Sequence, residues 1–307
     1  MKRVALLIAL VILPFSEVYA KDDSWFKSSK QWVQQLWQSD AQDWLERINY
    51  AVLNNNYSGV IVIAQGQKVE SLAVEHKMHN GVESLHMKTL SGAPRELLKQ
   101  GGKISTNALP KRYNLNSTAI TTQTTFSQFA NAGDNKSYRV SLAEKSRIAG
   151  RDTQVVEIKA KDNLRYSYRL WLDTETGLPL KVMTVDGNNN AVEQIAFTQI
   201  TITPVEKASK PENIQKKDFL KNPYKDVNGF KLLAIESKID SQHFLYSDGL
   251  VSVSLYIDAS KQKEQAQMSK DSVNGLVLGN GSKRIVVLGK VPMLTLEEFL
   301  LATQTQQ

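Results

Sequence analysis

The chain contains no cysteine and only four histidines, at positions 76, 79, 86 and 243. Without thiols there can be no disulfide, thiolate zinc site, cysteine-ligated iron–sulfur cluster or cysteine nucleophile. His76 and His79 would share one face of a helix, but on a strand they point to opposite faces. They make a poor ligand pair, and the histidines read as surface or packing residues. No HExxH, GxSxG, Walker A or GxGxxG pattern occurs. Gly279-Asn280-Gly281 has no matching third glycine and reads as a turn. Beyond the first twenty residues no apolar run approaches the roughly 20 residues needed to span a bilayer. The 307 residues are 41% hydrophobic and 22% charged. That balance excludes a mostly disordered chain, a collagen and a polytopic membrane protein.

At the N-terminus, Lys2 and Arg3 precede an apolar stretch from Val4 to Pro14, and Val18-Tyr19-Ala20 offers a small-x-small cleavage site. This reads as a secretory signal peptide over 1–20. No cysteine follows it, so a lipoprotein anchor is excluded. The mature chain is expected to be exported, and periplasmic in an organism with two membranes. The formal charge of +7 falls by one when Lys2, Arg3 and Glu17 are removed. A mildly basic surface can attract nucleic acid, anionic lipid or an acidic protein. Export and the scattered Lys and Arg residues argue against nucleic acid.

The mature chain opens with a Trp-rich stretch, Trp25 to Trp37, whose Val33, Leu36 and Trp37 follow helical spacing. It either docks on the body or contacts a partner or membrane. A second helix is predicted from an N-cap at Asp40, with Trp44, Leu45, Ile48, Ala51 and Val52 on one face, ending at Asn54-Asn55-Asn56. Strands follow. Ser58 to Ala64 reads as a central, well-covered strand, and Val69–Met78 and Val82–Leu90 as a hairpin turning at His79-Asn80-Gly81. Arg95–Leu98 and Lys103–Thr106 form a further pair turning at Gly101-Gly102. The stretch from Ala108 to Gly133 resists assignment, apart from a short helix around Phe126 and Phe129.

Thr153–Ala160, Arg165–Leu172, Leu180–Val185 and Val192–Ile202 continue as strands. Together they predict a long antiparallel meander, which must curl around the early helices because so wide a sheet cannot stay flat. Pro204 to Asn222 is polar and lysine-bearing, and reads as a linker over 204–225 between a domain at 21–203 and a smaller one at 226–303. The smaller domain shows strands at Lys231–Ile239, Leu250–Ile257, Ser272–Leu278 and Lys283–Leu288. Thr295-Leu296-Glu297-Glu298 reads as a capping box opening a helix through Leu301. The fold class is therefore α+β: a large curved antiparallel sheet covered by helices, plus a smaller C-terminal α+β domain. Asp152, Asp173 and Asp186 sit at strand ends, where turn roles are the default. Tyr166, Tyr168 and Trp171 suit core packing or ligand stacking. Chemistry is under-supplied and surface is plentiful, as in an exported two-domain binding protein.

Several segments carry a specific likeness. Arg165-Tyr166-Ser167-Tyr168-Arg169-Leu170-Trp171-Leu172-Asp173-Thr174-Glu175-Thr176-Gly177-Leu178-Pro179-Leu180 resembles the strand–turn–strand signature of the MucB/RseB family. So do Ser91 to Leu98 with Gly101-Gly102, Arg147 to Arg151, Asn228-Gly229-Phe230, Tyr246 to Ser254, and Gly289-Lys290-Val291-Pro292. They keep the family's order across about residues 45 to 300. Gly229 lacks the family's preceding proline, and Lys290 stands where the family has an acidic residue.

The resemblance implies a periplasmic negative regulator of the envelope-stress sigma factor, sigma-E or AlgU. It implies a larger domain shaped as a LolA/LolB-like half-barrel. The implied partner is the periplasmic domain of an RseA/MucA-type anti-sigma factor, shielded from site-1 proteolysis and released by a lipid-type signal such as lipopolysaccharide. No enzyme activity, cofactor or metal is expected, and a homo-oligomer is left open. Phe230, Tyr246 and Leu250 are the apolar candidates for partner contact, with Arg165 and Arg169 as charged ones. The alternative is a periplasmic lipid or lipoprotein carrier using the same half-barrel. An exported hydrolase lacks a recognisable nucleophile–base set.

Overall fold

The computed structural model describes residues 41–100, 103–106, 126–205, 226–270 and 272–305. The leader, the Trp-rich stretch, Asp40, the Gly101-Gly102 turn and most of the expected linker lie outside them.

Residues 41–54 form helix α1, which buries Ala41, Leu45, Ile48, Ala51 and Val52. Its last turn is closed by side chains: Asn54 Nδ2 donates to the Tyr50 carbonyl at 3.0 Å and Asn55 Nδ2 to that of Ala51 at 2.9 Å. The chain then enters β1 (Asn55–Gln65), β2 (Lys68–His79), β3 (Val82–Thr89), β4 (Glu96–Gln100) and β5 (Lys103–Thr106). A 3-10 turn over Phe126–Asn131 precedes β6 (Tyr138–Ile148), β7 (Arg151–Ala160), β8 (Ser167–Asp173), β9 (Pro179–Val185) and β10 (Ala191–Pro204).

These ten strands form one antiparallel sheet in the order β5-β4-β3-β2-β1-β10-β9-β8-β7-β6. It is two meanders, not the single one expected, joined where β1 pairs with β10. The chain therefore passes from one sheet edge to the other between β5 and β6. Among the described residues the edges β5 and β6 do not pair, so the sheet is not closed. Strand β6 has no counterpart among the expected strands. Strand β1 is central as expected, and one face is more deeply covered than the other. Tyr57 and Ile61 are buried, while Val60 and Val62 are half-buried.

At the centre, Ile61 faces Phe197 and Ile63 faces Ile195, with a bulge between Val60 and Ile61 that strengthens local twist. Just before it, Gly59 lies so close to β10 that a Cβ would stand 2.1 Å from the Gln199 carbonyl oxygen. The covered face joins Tyr57, Ile61, Val74, Leu85, Val140, Val156, Ile158, Leu170 and Phe197 to α1 in one core.

The second sheet contains β11 (Lys231–Lys238), β12 (Ser241–Ser247), β13 (Ser252–Ala259), β14 (Lys263–Lys270), β15 (Val273–Asn280) and β16 (Lys283–Gly289), ordered β11-β12-β13-β16-β15-β14. Helix α2 (Met293–Thr305) packs Leu296 and Phe299 into this sheet's own core, where Phe299 meets Phe230 and Tyr246 edge-on at 5.7 and 5.1 Å. The expected capping box is corrected here. The helix begins at Met293, two residues before Thr295, and the Thr295 hydroxyl donates instead to the Leu164 carbonyl beside the large sheet.

Gly59→Ala is expected to lower unfolding stability by about 1–3 kcal/mol, because the obstacle is backbone and the central strand pair must shift. Urea unfolding of the variant against the parent protein checks this; an unchanged midpoint refutes it.

Candidate functional site

The two sheets meet at a polar junction built from the turns that carry the quoted signature segments. Arg165, just before β8, has its guanidinium fully distributed among acceptors. Nε donates to Asp248 Oδ2 at 2.7 Å, Nη1 to Asp162 Oδ2 at 2.6 Å and Nη2 to the Asn228 carbonyl at 2.7 Å. Its carbon centre sits 4.5 Å over the Phe230 ring, a cation–π contact. Asp248 lies in the turn between β12 and β13. Its Oδ1 accepts the Leu250 and Val251 amides at 2.9 Å each, and its Oδ2 also accepts the Tyr138 hydroxyl at 3.0 Å. The Arg165 and Asp248 side chains are each 1% exposed. A pair so buried holds only with further hydrogen bonds, and here each guanidinium nitrogen and each carboxylate oxygen has a partner.

The same turn carries Gly249 at φ 102°, a conformation that side-chain-bearing residues rarely adopt. That geometry sends Leu250 away from its own sheet and into the core of the large one.

A second contact lies on β10. Lys290 Nζ donates to Glu193 Oε2 at 2.7 Å and Oε1 at 3.0 Å, and Ser272 Oγ donates to Oε2 at 2.6 Å. Burial acts to raise the Glu193 pKa. The Lys290 ammonium and hydrogen bonds from Lys290, Ser272 and Gln65 outweigh it and hold the carboxyl below its ordinary value. Nearby, Asn274 Nδ2 donates to the Tyr166 hydroxyl at 3.2 Å and to the Val291 carbonyl at 2.8 Å.

Two cavities flank this second contact. One, of about 300 Å³, has an apolar floor of Ile61, Val74, Leu85 and Phe197 on the covered face of the large sheet, and a charged rim including Lys68, Glu70 and Arg95. The other, of about 220 Å³, lies between the sheets against Phe129, Tyr168, Val182 and Leu250. Phe126, Glu193, Ile195 and Lys290 line both. The first is at the lower end of the size at which largely apolar pockets take small molecules.

The structure brings four of the five candidate contact residues into or beside the junction, and buries them. Phe230 and Tyr246 are core residues of the small sheet, Leu250 is a core residue of the large one, and Arg165 is enclosed. Only Arg169 is substantially open, at 35% exposure, on a separate site where its Nε donates to Glu157 Oε1 at 2.6 Å. Asp248, Glu193 and Lys290 were missed as site residues. Asp248 and Lys290 both stood inside segments that carry the family likeness, and Lys290 was also a departure from the family pattern, which were the available signals; Glu193 lies 79 and 97 positions from Ser272 and Lys290, which it touches. Of the histidines, His76 stacks on Tyr57 at 4.5 Å and His243 on Tyr256 at 4.2 Å, while His86 bonds Glu96. Asp173 closes its turn by accepting the Thr176 amide and hydroxyl at 3.0 and 2.8 Å. Tyr168 packs on Phe129 at 5.2 Å. Among the described residues no cluster of three metal-ligating side chains occurs.

The geometry thus defines a two-sheet protein with two polar contacts between its sheets, one of them bordering two cavities. Residues 40–221 match the MucB/RseB N-terminal domain and residues 223–304 the MucB/RseB C-terminal domain. The chain belongs to the MucB/RseB family. It is 27% identical over 281 residues to the sigma-E factor regulatory protein RseB of Salmonella typhimurium, covering 82% of this chain and 86% of that one. It is 23% identical over 295 residues to the sigma factor AlgU regulatory protein MucB of Pseudomonas aeruginosa, covering 87% and 92%. The fold is similar to a crystal structure of MucB in complex with MucA(peri), with a TM-score of 0.64 and 23% identity over 84% of this chain and 96% of that one.

Asp248→Ala is expected to destabilise the protein by about 3–5 kcal/mol, since it strands a buried guanidinium. Arg165→Met should cost a similar amount, and the double variant less than the sum, because both remove one contact. Denaturant midpoints for the set decide it; additive losses would show that the two side chains act separately.

The lowered Glu193 pKa has a definite sign. Its contribution to stability is fully present above the ordinary value of 4.5 and is lost as pH falls through the lower folded value. Glu193→Gln should therefore flatten the acid side of the stability profile, read as urea midpoints from neutral pH down through the carboxylate range. An equally steep profile would contradict this.

Proposed function

We propose that this protein is a periplasmic negative regulator of an envelope-stress sigma factor of the sigma-E or AlgU type. In this reading the leader at 1–20 directs export, and domains at 21–203 and 226–303 flank a linker at 204–225. The protein binds the periplasmic domain of an RseA/MucA-type anti-sigma factor and shields it from site-1 proteolysis until a lipid-type signal releases it. The observation that carries the reading is the match of both family domains, in order, along one chain. The names of the relatives agree with it: RseB and MucB are called regulatory proteins of sigma-E and of AlgU, and MucB has been solved bound to MucA(peri).

The reading is regulatory, not enzymatic. Shielding a protease site needs contact area, typically about 1,200–2,000 Å² in total, and no nucleophile. Arg169 would touch the partner directly. Arg165, Phe230, Tyr246 and Leu250 would act from within, by fixing how the small sheet is presented. A lipid can release the partner only if it binds the partner-holding arrangement less well than another one.

The cavity of about 300 Å³ favours a second reading, a lipid or lipoprotein carrier. The two separate in a pull-down of the periplasmic segment of the organism's own anti-sigma factor by the purified protein, with and without lipopolysaccharide. The regulator is expected to capture the segment and to lose it when the lipid is added. Lipid capture with no capture of the segment would overturn the regulator in favour of the carrier.

A further inference from the structure

The two joints between the sheets are unlike. Arg165 and Asp248 are sealed, whereas at the second joint Glu193 is 6% exposed and its partner Lys290 is 24% exposed. Lys290 is the only cation that lines both cavities among the described residues, and its ammonium is also what compensates the buried Glu193 carboxylate. If Lys290 turns away, Glu193 keeps only uncharged donors such as Ser272 Oγ. A buried carboxylate in that state is strongly disfavoured, and opening the joint to water relieves it.

The larger cavity sets what could draw Lys290 away. Its floor is apolar, and its rim holds Lys68, Arg95 and Lys290 against Glu70 and Glu193. The two carboxylates are already engaged, Glu70 by Arg95 at 2.6 Å and Glu193 by Lys290. Three cations against two carboxylates leave the rim with a net positive charge, which suits an anion attached to an apolar tail.

We propose that Lys290 is a latch: an anionic amphiphile whose tail enters the apolar cavity takes Lys290 from Glu193 and so unfastens this joint between the sheets. The inference deepens the regulator reading and rests on it for its biological consequence. Headgroup binding and the closed joint compete for one ammonium, so each weakens the other by the same factor.

The test uses dodecyl phosphate, the neutral 1-dodecanol and inorganic phosphate as probes. Lys290→Met and Glu193→Gln both break the ion pair, and a merely structural role predicts similar behaviour from the two. The latch predicts opposite behaviour. Lys290→Met should bind dodecyl phosphate about ten-fold more weakly, the effect of losing a hydrogen bond to a charged group. Glu193→Gln should bind it more tightly, and neither should alter dodecanol binding. Inorganic phosphate alone should bind poorly, because the tail supplies the attraction to the cavity; equal binding of phosphate would mean a plain anion site and would overturn the proposal.

The absence of cysteine allows clean paired labels at Lys159→Cys and Gln267→Cys, one on each sheet, both exposed in the parent. Dodecyl phosphate should change the label-to-label distance in the parent and not in Lys290→Met. If dodecyl phosphate binds while the two ion-pair variants respond alike, the latch is wrong and the lipid-release reading survives. If neither dodecyl compound binds the parent, both fail.

Discussion

The arrangement of this molecule turns on one buried guanidinium. Arg165 reaches from the large sheet into acceptors supplied by its own loop, by the β12–β13 turn and by the Asn228 carbonyl. An arginine cannot shed its charge, so burying it demands that all of these segments be present at once. That requirement fixes where the small sheet can sit. It seats Phe230 under the guanidinium, brings Tyr138 to Asp248, and places Leu250 in the opposite core. The apolar contacts across the junction are then consequences of a polar constraint.

The Glu193–Lys290 contact lies next to a cavity and is less enclosed. One joint is sealed and the other faces apolar space. Such unequal joints give the two sheets a firm attachment and a responsive one, which is what a protein needs if it must change its presentation without coming apart. The mild basic charge of the chain also finds a local meaning here, since part of it borders the cavity instead of being spread over the surface.

Much of the fold was legible. Alternation marked β8, an unbroken β-branched run marked β1, and Asn80-Gly81 marked its hairpin. What escaped has a common cause. Strand β14 (Lys263–Lys270) is an almost wholly exposed edge, so it carries no alternating pattern to find. Strand β6 is an edge whose alternation is broken by a bulge between Leu142 and Lys145, and β12 opens on the polar, less buried Ser241-Gln242-His243 before a short buried run. The Thr295 motif was read as a local cap, but its hydroxyl serves a long-range bond to Leu164. The same signal, a threonine three residues before a glutamate, has two physical uses, and only the neighbour decides between them.

By itself the sequence determined the class of the molecule: no thiol chemistry, none of the familiar catalytic motifs, a larger and a smaller sheet-rich part, and motifs in the order of one family. These are properties of residue type and short-range spacing, which a linear string records directly. Tertiary structure alone decided which residues are surface and which are joint. Phe230, Tyr246 and Leu250 look like contact residues in a string and are core in space. Asp248 and Glu193 look like ordinary carboxylates, and each holds a cation from the other sheet. Partners 83 and 97 positions apart leave no periodic trace. Their pairing arises only once both sheets have formed and water has been excluded between them.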